Sequence, residues 1–290
     1  MGRGAALLIG EPVTEADTRA RALYLDLLKK VLTRYVTGDG LRAWEPPRDA
    51  PVRPLFDVLL EKLADPRVQL VRRLPFDPAV REEGRDWPAD AETMIGLRRL
   101  DNVQACVEQV LAEDVSGDML EAGVWRGGAG ILMRAVLEAH AVKDRCVWLA
   151  DSFEGLPKPD TERYPADAGD RHWTRSELAV SREQVEDNFR RYGLLDDQVR
   201  FLQGWFEDTL PTAPLDTIAV LRLDGDMYGS TMVALEALYP KVPPGGFVII
   251  DDYGDIDQCR QAVDDYRAAN DITEPMERID FTGVYWRVSG

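Results

Sequence analysis

Apolar residues along this chain keep one rhythm up to residue 113 and a different one after it. In the first part Tyr24, Leu27, Leu28, Val31, Leu32 and Tyr35 recur at helical spacing and predict a helix over 18–35. Leu100, Val103, Val107 and Val110 predict another over 97–113. Between them four prolines break 43–54, and a short helix follows over 55–63. Residues 65–90 are charged, proline-punctuated and without period, and read as loop or mobile cover.

After residue 113 short apolar runs alternate with amphipathic stretches. Strands are expected at 119–124, 146–151, 199–203, 218–224 and 247–251, with an edge strand at 284–288. Helices are expected at 128–141, 182–192, 230–238 and 257–268. This alternation predicts an α/β fold with a mostly parallel sheet and helices on both faces. The chain then divides into an N-terminal extension, 1–90, and a main domain, 91–290. In such sheets ligands sit outside the carboxyl ends of the strands, so the polar residues that end each strand are the candidates.

Two of those ends are acidic in the same way. The run at 218–224 leads into Asp224-Gly225-Asp226, and the run at 247–251 into Asp251-Asp252. If the two strands are neighbours, four carboxylates meet at one rim. Like charges held that close call for a cation among them or for one of them to act as a base. Asp224 and Asp226 flank a glycine, so in extended backbone they face the same side.

The first strand ends in Glu121-Ala122-Gly123, and Gly127, Gly128 and Gly130 follow. The dinucleotide pattern GxGxxG is not completed, and no Walker lysine follows the glycines. A glutamate just ahead of such a turn suits an ammonium group better than a pyrophosphate. The next strand ends in Asp151-Ser152, where an acid can accept hydrogen bonds from ribose hydroxyls. Together the two ends point to an adenosine-containing cofactor, S-adenosylmethionine, with Glu121 facing its amino acid part.

Charge narrows the partners. With 35 Lys and Arg against 52 Asp and Glu the net charge is −17, so nucleic acid and anionic membrane are not expected partners. Three scattered cysteines and two histidines give neither a disulfide framework nor a zinc site. The apolar stretch at the start is too short for a signal peptide and no run spans a membrane, so a reduced, cytoplasmic protein is expected. The long interruption at 152–181 reads as a substrate lid. His172 within it is expected to be exposed and without a catalytic role. Trp173, Trp205, Phe206 and Tyr228 are candidates to line a hydrophobic aglycone surface.

The runs EAGVWRGGA, ADSFEGLP, LRLDGDMYGST and VIIDDYG, together with TMIGLRRLDN and GWFEDTLP, carry a resemblance. In order and spacing over 88–290 they resemble the macrocin O-methyltransferase family. The helix near 20–36 also fits, whereas 43–85 matches less clearly. The resemblance implies a Rossmann-like class I methyltransferase with a seven-stranded sheet, dependent on S-adenosylmethionine and Mg2+, that methylates a deoxysugar hydroxyl on a bacterial secondary metabolite. It implies metal ligands at Asp224, Asp251 and Asp252 and a general base at Asp226. It implies cofactor contacts at Met94, Glu121, Gly123, Asp151, Ser152, Gly204 and Trp205. A homodimer or homotetramer is expected. Gly229 departs from the larger polar residue expected between Tyr228 and Ser230.

The chemistry suits those roles. Two adjacent sugar hydroxyls can chelate Mg2+, which lowers the pKa of the bound hydroxyl. Alignment of the hydroxyl with the sulfonium methyl can contribute roughly 7–11 kcal/mol. Catechol hydroxyls chelate the ion in the same way, so a Mg2+-dependent catechol methyltransferase is the alternative of like chemistry. A nicotinamide-dependent dehydrogenase and a non-catalytic, metal-stabilised scaffold are the alternatives of other classes.

Overall fold

The computed structural model describes residues 14–38, 40–43, 50–63, 71–86, 88 and 90–290. In chain order the elements begin with α1 (Glu15–Leu32), β1 (Gly40–Ala43), α2 (Arg53–Leu63), β2 (Val71–Leu74), α3 (Pro78–Glu83) and α4 (Leu97–Ala112). The alternating part runs β3 (Asp118–Ala122), α5 (Gly128–Ala139), β4 (Val147–Asp151), α6 (Arg182–Arg191), β5 (Val199–Gln203), α7 (Phe206–Thr209), β6 (Ile218–Leu223), α8 (Tyr228–Leu238), β7 (Phe247–Ile250) and α9 (Asp257–Ala269). It closes with β8 (Glu277–Arg278) and β9 (Val284–Arg287).

Seven strands form one sheet in the order β5-β4-β3-β6-β7-β9-β8. The first five are parallel, while β9 runs antiparallel to β7 and β8 antiparallel to β9. The 284–288 segment is therefore not the edge, because the two-residue β8 lies outside it. Side chains alternate across the sheet. On β7, Phe247 and Ile249 enter one core and Val248 and Ile250 the other. Helices α1, α4, α5 and α6 cover the first face, and α8 and α9 the second. Strands buried on both faces read as unbroken apolar runs, which is why β6 and β7 were legible.

Helix α1 opens on a capping box, with Thr14 Oγ1 accepting from the Asp17 amide and the Asp17 carboxylate accepting from Thr14. Its buried stripe is Leu25, Leu28 and Leu32, which join the same core as α4 and α5. Tyr24 and Leu27, expected on that stripe, are 41% and 55% exposed. Leu25 displaces them because Leu25, Leu28 and Leu32 share one helix face at i, i+3 and i+7.

Within 65–90 the described residues are more ordered than the sequence suggests. β2 pairs antiparallel with β1. α3 is capped by the Asp77 carboxylate, starts with proline and stops at Gly84 in the left-handed region. The 152–181 interruption is chain with short 3-10 turns at Pro165–Asp167, His172–Thr174 and Ser176–Leu178. Among the described residues no helix is long and apolar enough to cross a membrane.

Candidate active site

The carboxyl ends of β3, β4, β5, β6 and β7 open into a cavity of about 720 Å³, roofed by the 152–181 segment. Its two halves are joined through the backbone. The Asp224 amide donates to the Ala122 carbonyl at 2.8 Å. Gly123, at φ 91°, turns so closely past Asp224 that a Cβ there would collide with the Asp224 carbonyl oxygen. Only glycine meets both demands.

The β3–β6 register sets Glu121 beside Arg222. Arg222 is 2% exposed and is the hub of the site. Its guanidinium lies 2.6 Å from Glu121, 2.9 Å from Asp224 and 2.7 Å from Asp251. Burial pushes Glu121 up to about 8, because Arg222 is shared and returns only part of the lost hydration. Glu121 Oε2 is buried without a hydrogen bond of good geometry. Asp251 is held from two sides, by Arg222 and by a short ion pair with Arg99, which also reaches Asp280 at 2.9 Å.

Of the four acids expected at the rim, the structure brings together Asp224, Asp226 and Asp252. One carboxylate oxygen from each lies within 4.8 Å of the others. Asp251 is not among them, since its carboxylate is committed to two arginines. The route by which Asp226 arrives also differs from the expectation. β6 stops at Leu223, and Asp226 sits in the left-handed region at φ 55° rather than in extended backbone. Burial and mutual repulsion raise all three acids, Asp226 to about 7. Asp252 Oδ2 is buried with no hydrogen-bond partner. An all-oxygen donor set carrying excess negative charge fits a hard divalent cation.

The remaining predicted residues surround the other half of the cavity. Asp151 Oδ2 accepts from the Val124 amide at 2.7 Å and Oδ1 from the Phe153 amide at 2.8 Å, so it also braces the glycine turn. Its pKa is raised by burial against the pull of those amides. The Trp125 amide at 3.4 Å and the Ser152 hydroxyl at 3.5 Å lie against the same carboxylate with longer contacts. Ser152 Oγ is turned inward, donating to the Gly155 carbonyl at 2.7 Å. The Gly204 amide donates to the Asp151 carbonyl at 2.9 Å and holds the exit of β5 against β4. Met94 and Trp205 line the wall.

The roof is fastened to the side of the acid cluster. Asp167, 2% exposed, accepts from the Tyr228 amide at 2.7 Å and the Gly229 amide at 2.9 Å, capping α8 from another segment. The Tyr164 ring covers Gly229, where a Cβ would come 2.5 Å from its Cδ2. The glycine that departs from expectation is thus the space into which the roof packs. Arg99, Arg222, Asp167 and Asp280 were missed from sequence. An arginine inside the apolar run Ile218–Leu223 was the available signal, because a buried guanidinium requires carboxylate partners.

A model of the Macrocin-O-methyltransferase (TylF) family matches residues 21–288. The chain is 54% identical over 269 residues to the 8-demethyl-8-(2,3-dimethoxy-alpha-L-rhamnosyl)-tetracenomycin-C 4'-O-methyltransferase of Streptomyces olivaceus, covering 92% of this chain and 93% of that one. It is 59% identical over 212 residues to the demethyldecarbamoylnovobiocin O-methyltransferase of Streptomyces niveus, covering 72% and 80%. Among solved structures, the O-methyltransferase NovP matches with a TM-score of 0.76 at 48% identity, over 93% of this chain and 100% of that one.

Proposed function

The chain belongs to the macrocin O-methyltransferase family, and with that as premise we propose that it transfers a methyl group from S-adenosylmethionine to a sugar hydroxyl of a glycosylated natural product, with Mg2+ bound at the acid cluster. That it is an O-methyltransferase follows from the family and from relatives at 54% and 59% identity. The sugar as acceptor is supported by the tetracenomycin relative, whose name specifies a rhamnosyl group and 4'-O-methylation. The observation that carries the rest is the meeting of two sites in one cavity, a Glu121–Gly123 turn and a three-carboxylate cluster.

Glu121 offers a buried carboxylate oxygen to the donor's ammonium group, and Asp151, which lines the cavity, offers its carboxylate to the ribose. Met94 and Trp205 complete that wall, and Gly204 holds Trp205 beside Asp151 through its amide hydrogen bond to the Asp151 carbonyl. Asp224, Asp226 and Asp252 would hold the divalent cation, and Asp251 keeps Arg99 and Arg222 in place behind them. Bound there, the ion would polarise a sugar hydroxyl and lower its pKa. Asp226 reaches about 7 through burial and repulsion by its neighbours. A dication bound at the cluster would cancel that repulsion and favour the ionised form of Asp226. The roof, fastened at Asp167, excludes water from the reacting centre.

Methyl transfer to a desmethyl glycoside, followed by mass spectrometry with and without a chelator, tests this reading. Turnover that disappears in chelator and returns with Mg2+ is expected. Undiminished turnover in chelator-treated protein would falsify the metal assignment, and a protein that binds NAD but not S-adenosylmethionine would overturn the class.

A further inference from the structure

A glycosylated acceptor brings more than its sugar into the cavity, and the sequence offers four aromatic residues for the remainder. Trp205 and Phe206 line the cavity, whereas Trp173 and Tyr228 do not. Tyr228 is turned away, with its ring on Tyr164 at 5.9 Å between centroids and its hydroxyl 3.1 Å from Asp265. Trp205 stands on the donor wall beside Gly204, and Phe206 packs against the core beneath α8 and α9. On the side of the acid cluster another ring lines the cavity, that of Phe281 in the turn between β8 and β9.

That turn is fixed beside the acids. Asp280 Oδ1 accepts from the amides of Thr282 at 3.0 Å and Gly283 at 2.8 Å. Thr282 Oγ1 donates to the Asp251 carbonyl at 2.9 Å, and the Thr282 carbonyl accepts from the Gly254 amide at 2.8 Å. The Arg85 guanidinium lies over the Phe281 ring, with Cζ 4.0 Å from the centroid, and the Arg99 guanidinium is 5.8 Å from the same centroid. Both arginines reach one ring because the ends of α3 and α4 touch. Gly84, at φ 71°, ends α3 so close to Gly96, which precedes α4, that a Cβ there would lie 2.4 Å from the Gly96 nitrogen. Arg85 Nε donates to Glu83 at 2.6 Å, a bond in the guanidinium plane that leaves both faces clear. One face covers Phe281. The side chain is 50% exposed and lines the cavity, which leaves the other face for a ligand.

We propose that Arg85, backed by Phe281, is the aglycone subsite, and that the aglycone it takes is a flat aromatic system. The assignment rests on the methyl-transfer reading of this cavity and adds to it the part of the acceptor outside the sugar. A guanidinium is planar, delocalised and weakly hydrated, so it stacks on an aromatic face in a way a compact ammonium does not. With Phe281 beneath it and Glu83 at its edge, this one is in place before the acceptor arrives, which lowers the ordering cost of binding. A saturated aglycone of the same size would bury apolar area there but has no ring electrons to attract the cation. The subsite adjoins the acid cluster through Thr282 and Arg99, so one acceptor can lay its sugar on the acids and its aglycone on Arg85.

The test uses one desmethyl deoxysugar carried as its naphthyl glycoside and as its decalyl glycoside, two aglycones with the same carbon skeleton that differ in flatness. The parent, Arg85→Leu, Arg85→Lys and Phe281→Leu are compared in kcat, in KM and in S-adenosylhomocysteine affinity by calorimetry. A cation stacked on an aromatic ring is worth roughly a three- to thirtyfold change in KM. The parent is expected to prefer the naphthyl glycoside by a KM ratio in that range. Both Arg85 variants are expected to abolish the preference, and Phe281→Leu to weaken it, through KM rather than kcat and with S-adenosylhomocysteine affinity unchanged. Equal KM for the two glycosides in the parent, a preference for the decalyl glycoside, or a naphthyl preference that survives in Arg85→Leu overturns the subsite while leaving sugar methylation intact. Loss of S-adenosylhomocysteine affinity in Arg85→Lys overturns it as well, since Arg85 would then support the fold rather than the aglycone. A parent that binds S-adenosylhomocysteine yet methylates neither glycoside refutes the sugar-acceptor reading, and this subsite with it.

Discussion

Arg222→Met removes the one cation that the buried Glu121 and Asp251 and the partly exposed Asp224 share, while keeping a side chain of similar length. Arg222 has ion-pair contacts of 2.6, 2.9 and 2.7 Å to Glu121, Asp224 and Asp251. Replacing a whole buried ion cluster by apolar residues is often neutral, but removing one partner leaves charges stranded and costs roughly 3–5 kcal/mol. Arg99 still holds Asp251, and protonation can relieve Glu121, so the lower half of that range is expected. For a domain of this size the loss corresponds to a melting temperature lower by on the order of 10 °C. The sign of its pH dependence follows from linkage. Without Arg222 the folded-state pKa values of Glu121 and Asp224, both already raised by burial, rise further above their unfolded values of about 4. Groups raised in this way favour the native state at low pH and lose that contribution as pH rises through the folded value. The deficit against the parent should therefore be larger at about pH 8 than at about pH 6. Urea unfolding at both pH values measures it. A deficit under about 1 kcal/mol, or one that does not widen with pH, refutes the hub assignment. Arg222→Lys should fall between the two, since one ammonium cannot span three carboxylates.

Asp252→Asn should weaken Mg2+ binding at least tenfold by calorimetry, about 1.4 kcal/mol, and abolish turnover. Without metal it should be at least as stable as the parent, because it relieves the repulsion that raises the Asp252 pKa; a less stable variant that still binds Mg2+ contradicts the cluster. Gly229→Ala puts a methyl 2.5 Å from the Tyr164 ring. It should quicken proteolysis within 152–181 while a helix-propensity gain of up to about 1 kcal/mol holds the melting temperature, and unchanged cutting counts against the packing role. Glu121, raised to about 8, makes the donor-free protein lose stability as pH climbs from its unfolded value toward 8. Glu121→Gln should flatten that part of the stability curve and weaken donor binding, and a slope identical to the parent's denies the shift.

What the sequence disclosed depended on how far apart the deciding residues lie. The strand–helix alternation was legible because β6 and β7 carry their burial in consecutive apolar residues. The pairing of β1 with β2 was not, because Val71–Leu74 reads VRRL and its partner lies some thirty residues earlier. The acid rim was foreseen from two short motifs, yet which three acids meet depended on Arg99, whose capture of Asp251 spans 152 residues. Asp226 was expected beside Asp224 by strand geometry. It is there, but through a left-handed turn after the strand has ended. Asp167 and Asp170 gave no local signal, since acids in a proline-rich interruption look like solvated loop until α8 and His172 are brought against them.

The contact between Gly123 and Asp224 works as a fixed ruler. The donor turn leaves β3 and the acid cluster begins at the end of β6, and these neighbouring strands are tied at their exits by a backbone hydrogen bond. On the proposed reading the separation between methyl donor and acceptor would therefore be an interval of the sheet itself, set apart from the roof. A descendant of this chain can rebuild the 152–181 segment for a new glycoside and keep its reach. It cannot alter Gly123 without changing the span across which the methyl group travels.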